Sequence, residues 1–287
     1  MHTPIAEPAR PRGPDPDARQ LAVVFDRVCF AYDDNVVLRD LSFELPVGSM
    51  KILLGASGAG KSVVLKLILG LLRPDSGTIV VNGVRLNDLT ERELLALRAD
   101  IGMLFQESAL FDSLTVAENV GYRLTEEEHM PETEARQRVQ EVLGFVGLAD
   151  YMDRLPSELS GGQRRRVAIA RAMASRPSLL LFDDPTTGLD PIIATTVTNE
   201  IIKLRDLEHV TSIVVTHQIR DAHYVATHRA VRTDEGIHFV ASPETEREVL
   251  FMFLHQGRLH FEGTATELFA SEDPFLKEFL FKTLPPW

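Results

Sequence analysis

The sequence predicts an α/β core interrupted by a helical subdomain, and three observations predict it. Short, wholly apolar runs such as Met50–Leu54 and Leu179–Phe182 read as strands covered on both faces, as in a parallel sheet. A glycine-rich loop, Gly55-Ala56-Ser57-Gly58-Ala59-Gly60-Lys61-Ser62, lies between the first of these runs and a helical pattern. Residues 107–158 have helical periodicity and little strand signal.

Residues 1–19 are rich in Pro, Arg, Asp and Ala with almost nothing apolar, the composition of a flexible tail. From Leu21 the pattern changes. Leu21–Tyr32 and Leu38–Leu45 read as strands, and Pro46-Val47-Gly48 as a turn. Met50–Leu54 is a strand, followed by the glycine-rich loop and a helix expected to run through Leu72. Gly77–Val81 and Ile101–Phe105 are further strands. Thr115–Leu124 and Glu132–Val146 are helices. Leu179–Phe182 is a central strand, Ile192–Leu207 a helix and Thr211–Val215 a strand. Arg232–Glu248 is acid-rich around a short apolar piece, Ile237–Val240. It reads as a solvated loop or hairpin, with a regulatory docking surface as the competing reading. Residues 273–287 form a terminal helix or tail, and there is no internal repeat.

With 287 residues the chain is long enough for one large domain, or for one domain with a subdomain. A formal net charge of −12 disfavours a phosphate backbone as main partner, so no nucleic acid is expected. No apolar run reaches the roughly 18–20 residues that span a bilayer, and the N-terminus lacks the apolar core of a secretory signal. The expectation is a cytosolic chain whose membrane role requires a partner. Cys29 is the only cysteine and reads as buried strand filler, which excludes an intrachain disulfide.

The loop carries chemistry because Gly55, Gly58 and Gly60 let the backbone wrap a phosphate with its N–H groups inward. The following helix adds its positive N-terminal end. Lys61 can reach the β- and γ-phosphates of a nucleoside triphosphate, and the Ser62 hydroxyl can hold Mg²⁺. Asp183 and Asp184 close the strand Leu179–Phe182, where α/β proteins bind ligands. Asp183 reads as a Mg²⁺ ligand through water, and Asp184 as the residue facing the attacking water. Leu159-Ser160-Gly161-Gly162-Gln163 is a second glycine-rich turn, opening a helix expected over Gln163–Ser175 whose N-terminus can receive a γ-phosphate. The run Arg164-Arg165-Arg166 reads as a partly solvated helix face.

This second turn resembles the signature of ABC ATPases, and the likeness covers about residues 20–275. Gln106 matches the family's Q-loop glutamine, Asp190 its D-loop, His217 its switch histidine, and Tyr32 the aromatic that stacks on adenine. The resemblance implies a RecA-like parallel sheet with an antiparallel β-subdomain and a helical subdomain taken to about 160, within an ATPase domain of 20–272. It implies ATP held by Tyr32, the loop Gly55–Ser62 and Val63. Mg²⁺ falls to Ser62, Gln106 and Asp183, and catalysis to Asp184, His217 and Gln106. It also implies a head-to-tail dimer in which Leu159–Gln163 of one copy closes on the nucleotide of the other. The family usually has Glu where this chain has Asp184, which puts its turnover in question.

A transporter ATPase is favoured over a DNA or ribosome ATPase, because the 107–158 interval is too short for a long coiled coil and lacks heptads, and there is one cassette. Glu107–Val120 resembles the Q-loop region of the Mla/Mkl-type lipid-transport ATPases. That likeness implies a permease docking near Gln106 and the helical subdomain, on a groove that Leu110, Phe111 and Leu114 would line. An MCE-domain lipid-binding protein and a small regulatory subunit are the further partners it suggests. The alternatives are an importer ATPase for amino acids or another small solute, and a slow nucleotide-gated clamp.

Overall fold

The computed structural model describes residues 20–242 and 248–283. The expected tail 1–19, part of the acid-rich segment (243–247) and the last four residues lie outside that range. Two sheets share one body. The antiparallel sheet holds β1 (Leu21–Tyr32), β2 (Asn35–Pro46), β4 (Ser76–Val81) and β5 (Val84–Arg85) in the order β2-β1-β4-β5. The central sheet runs β12-β11-β3-β8-β7-β6, with β3 Met50–Leu54, β6 Ile101–Leu104, β7 Leu179–Asp183, β8 Thr211–Val215, β11 Val249–His255 and β12 Arg258–Gly263. Its strands are parallel except β12, which pairs antiparallel with β11.

Both faces of the central sheet are covered, as its apolar runs predict. Side chains alternate along β3. Ile52 and Leu54 pack into a core shared with α5 (Gly161–Met173), α6 (Pro191–Glu208) and α7 (Ile219–Thr227). Leu53 points the other way, into a core with Phe25, Leu38 and Val64 from β1, β2 and α1 (Lys61–Ile68), closed by Leu94 of α2 (Glu91–Arg98). The first core continues through α3 (Val116–Glu126) and α4 (Glu132–Phe145), whose Val120, Leu124, Val139 and Val142 pack with Val167 of α5. It ends on α8 (Ala265–Phe269) and α9 (Pro274–Thr283). The chain leaves β3 toward β6 at one edge and returns to β11 on the other side. The carboxyl ends of β3, β8 and β7 therefore open at a topological switch point.

Three expectations are corrected. Helix α1 ends at Ile68 and not Leu72, because Gly70 turns into the left-handed region (φ 62°) and Lys66 O accepts from both Leu71 and Leu72 N–H. The helix expected at Gln163 begins two residues earlier, with Ser160 as its N-cap, and ends at Met173. Cys29 is only half-buried: it lies on the face of β1 opposite the core residues Val28 and Phe30, and its sulfur accepts from Asp40 N–H at 3.3 Å. In the acid-rich region β9 (His228–Thr233) and β10 (Gly236–Ala241) form a hairpin. Arg205 of α6 supports it, bridging Asp206 and His228 O, while Asp206 accepts from Ala230 N–H at 2.7 Å.

Candidate functional site

The glycine-rich loop leaves β3 and enters α1 through Gly60, whose φ of 99° suits glycine. A Cβ there would stand 3.0 Å from Val37 Cγ1 and 3.1 Å from Leu38 Cδ2, so β2 also demands its absence. Lys61 is buried and folds back, donating to Gly55 O at 2.9 Å and Ala56 O at 3.0 Å. Burial lowers its ammonium pKa, and Asp184 and Asp183 oppose that by favouring the charged form. The Ser62 hydroxyl donates to Asp183 Oδ1 at 3.0 Å. Burial raises the Asp183 carboxyl, Ser62 lowers it, and the neighbouring Asp184 charge adds to the rise.

Asp184 sits in the left-handed region at φ 45°, an uncommon place for a residue with a side chain and one where backbone strain gathers at working sites. Its N–H donates to Val215 O at 2.8 Å, which ties the end of β7 to β8. Its Oδ1 accepts from His217 N–H at 3.2 Å and lies 2.9 Å from His217 Nδ1. That contact favours the tautomer with the proton on Nδ1, leaving Nε2 to accept from the Gln218 amide at 3.3 Å. Tyr32 ends β1 opposite Asn35 and is 45% exposed. Its ring stands edge-on to Phe30 at 4.8 Å.

One cleft of about 490 Å³ gathers Tyr32, Ser57, Gly58, Gly60, Lys61, Ser62, Val63, Gln106, Asp184 and His217. Residues brought from widely separated parts of the chain thus face the same space. Asp183 reaches it through Ser62. The turn Leu159–Gln163 and Asp190 do not line this cleft. Ser160 caps α5 by accepting from Gln163 N–H at 3.3 Å, while Gln163 Oε1 accepts from Ser160 N–H at 2.8 Å. Asp190 caps α6, accepting from Ile192 and Ile193 N–H, each at 3.1 Å. The second signature glycine, Gly162, has a reason within its own chain: a Cβ would stand 2.1 Å from Ile193 Cγ2 of α6.

The arginine run is a partly solvated face, as expected, except at Arg165. Arg164 stays exposed and donates to Leu159 O at 2.6 Å, and Arg166 donates to Val146 O at 2.9 Å. Arg165 is buried and donates to Phe105 O and Gln106 O. Sequence reasoning also missed two supports of the loop after β6. Buried Asn119 donates to Phe111 O, Leu114 O and Thr115 O and accepts from Phe111 N–H. Arg171 donates to Ser108 O and Ala109 O, whose residues are both left-handed (φ 64° and 48°). The available signal was placement: Arg165 follows Gly162 by one helical turn and so shares its buried face. Of the expected groove residues, Phe111 is 46% exposed and packs on Tyr122 at 4.9 Å. Leu110 leans on the core, and Leu114 lines an apolar groove between α3 and α4.

Residues 38–187, just over half of the chain, match the family described as ABC transporter. The chain belongs to that family and carries its ATPase cassette. It is 43% identical over 210 residues to a methionine import ATP-binding protein, MetN 1, of Rhodopseudomonas palustris, covering 69% of this chain. The chain spans only 55% of that protein's length. It is 38% identical over 208 residues to the intermembrane phospholipid transport system ATP-binding protein MlaF of Haemophilus influenzae, covering 72% of this chain and 79% of MlaF. Among solved structures it is similar to a dimeric post-hydrolysis state of the ATP-binding cassette MJ0796 bound to ADP and Pi. The TM-score is 0.69 at 29% identity, over 84% of this chain and 98% of that one.

Proposed function

We propose that the chain is the ATP-hydrolysing subunit of an ABC transporter, and that with a second copy of itself it drives a separate membrane permease whose cargo is a phospholipid or another lipid. The observation that carries the ATPase reading is the single cleft holding Tyr32, Lys61, Ser62, Gln106, Asp184 and His217. Tyr32 offers an exposed ring to the adenine. The loop amides take the phosphates, and Lys61 exchanges its two carbonyl acceptors for β- and γ-phosphate oxygens, which bind its charge more strongly. Asp184 orients and polarises the attacking water, while His217 turns to the γ-phosphate.

Among the described residues no cluster of three or more His, Cys, Asp or Glu is placed to hold a metal alone. The hydroxyl–carboxylate pair Ser62–Asp183 suits Mg²⁺, a hard cation that keeps waters and shares phosphate oxygens. Ser62, Asp183 and Gln106 would hold it, and when bound it supplies neutralisation of phosphate charge.

The lipid assignment is supported by the likeness of Glu107–Val120 to the Mla/Mkl type and by the similarity to MlaF. Exposed Phe111 and Tyr122, beside the groove between α3 and α4, offer a permease helix an apolar seat. No helix of the described residues is long and apolar enough to cross a membrane, so the chain would sit on the cytoplasmic face through that permease. An MCE-domain protein and a small regulatory subunit complete the proposed assembly. The higher identity to a methionine import protein favours a second reading, a small-solute importer. ATPase turnover of the chain with its co-purified permease in detergent separates the two. A rise on added phospholipid and none on methionine is expected, and the reverse would contradict the lipid assignment.

A further inference from the structure

Arg165 is the least expected side chain near the cleft. It is a cation on the signature helix, yet only 5% of it is exposed. Its fork reaches two different pieces of the site. Nη1 donates to Phe105 O at 3.0 Å and to Gln106 O, the backbone of the Q-loop glutamine. Nη2 donates to Thr187 O at 3.3 Å, in the turn that begins at Asp184 and is closed by Thr187 N–H donating to Asp184 O. Nε is buried with no acceptor among the described residues. The Asp184 charge is the one that favours the ionised guanidinium against its burial. A buried cation with a donor unspent is costly, and a neutral residue would avoid that cost. The planar fork explains why it is Arg: it joins three carbonyls of two segments in one fixed geometry, which a lysine ammonium on its flexible stem does not reproduce.

We propose that Arg165 is a positioning residue for ATP hydrolysis: it locks the Gln106 backbone and the Asp184 turn to the signature helix, so that any shift of that helix moves both cleft residues together. The proposal rests on the ATPase reading. The hydrogen bonds of Arg165 go to backbone carbonyls, so its work is done on the backbone that aims Gln106 and Asp184. This also gives the short Asp184 a support outside its own side chain. The helix that presents Ser160 and Gly161 outward thereby carries, one turn on, the strut that holds the hydrolytic residues inward.

The test uses the full-length chain with Mg-ATP. Arg165→Met, which keeps the apolar stem, should lower kcat at least about tenfold while KM for ATP changes less than about threefold. Arg165→Lys should recover part of the loss, since the charge returns without the fork. In an Asp184→Asn background, Arg165→Met should cost less than it does in the parent, because one of the two groups it positions is already removed. Amide exchange at 105–108 and 184–189 should quicken in Arg165→Met, and thermal melting separates this from general unfolding. Parental kcat in a folded Arg165→Met chain, a loss confined to KM, or a full multiplicative loss on top of Asp184→Asn would overturn the proposal. A parent whose ATP turnover is untouched by Lys61→Ala would instead overturn the ATPase reading beneath it.

Discussion

At the scale of single residues, Asp184 is the proposed partner of the attacking water and would set how fast the cassette works. Its carboxylate is one methylene shorter than the Glu the family resemblance implies, and a misplacement of about 1 Å can cost on the order of 100-fold in rate. In this structure Oδ1 is held by His217, and an imidazole that turned to phosphate would release that oxygen to water. Asp184→Asn keeps the size and removes the charge. It is expected to lower turnover by about 10²-fold, as loss of a general base does, while fluorescent-nucleotide binding survives. A parental rate in Asp184→Asn would show that another group acts on the water. Asp184→Glu then reports the fit: a rise marks the short side chain as a handicap, and a fall marks the left-handed backbone at φ 45° as adapted to it. Asp184 and His217 were readable because they stand at the ends of apolar strands in the order of the ABC ATPase motifs, Asp184 next after β7 and His217 with one residue between it and β8. Arg165 and Asn119 were not. Arg165 finds its carbonyl 60 residues away, and the local pattern around it is a plain charge run.

At the scale of elements, α5 and α6 meet closely at Gly162. Gly162→Ala would place a methyl against Ile193, and overpacking of this kind costs roughly 1–3 kcal/mol. Urea melts should show that loss, and Ile193→Ala should relieve part of it. An unchanged midpoint in Gly162→Ala would mean the helices part without cost. The same contact shows what the pattern of glycines conceals. A sequence reader assigns Gly161 and Gly162 to a partner's nucleotide, whereas packing inside the chain already demands Gly162. The strands were legible because burial on both faces leaves unbroken apolar runs. Helix ends were less so, since α1 stops where Gly70 turns left-handed, a choice made by two backbone bonds to Lys66 O and not by hydrophobic period. The hairpin β9–β10 was expected as a loop or hairpin over 232–248, but its first strand begins earlier, at His228. What fixes it is Arg205 and Asp206 on a helix more than twenty residues earlier.

At the scale of the whole molecule, Leu159–Gln163 and Asp190 lie outside the cleft and cap helices in their own chain, so the proposed signature contact with bound ATP would come from a second copy. The chain should therefore be monomeric without nucleotide and form a two-fold dimer with ATP once Asp184→Asn blocks turnover. Light scattering checks this, and a mass that ignores ATP with or without the permease contradicts the head-to-tail arrangement. The proposed role of Lys61 is simpler than the assembly: its buried ammonium would meet phosphate. Mg-ATP turnover of the full chain, alone and with its permease, measured beside Lys61→Ala, tests it most directly. The variant is expected to lose turnover and to bind nucleotide far more weakly, because the cation that would meet the phosphate oxygens is gone. Turnover equal in parent and variant would contradict it.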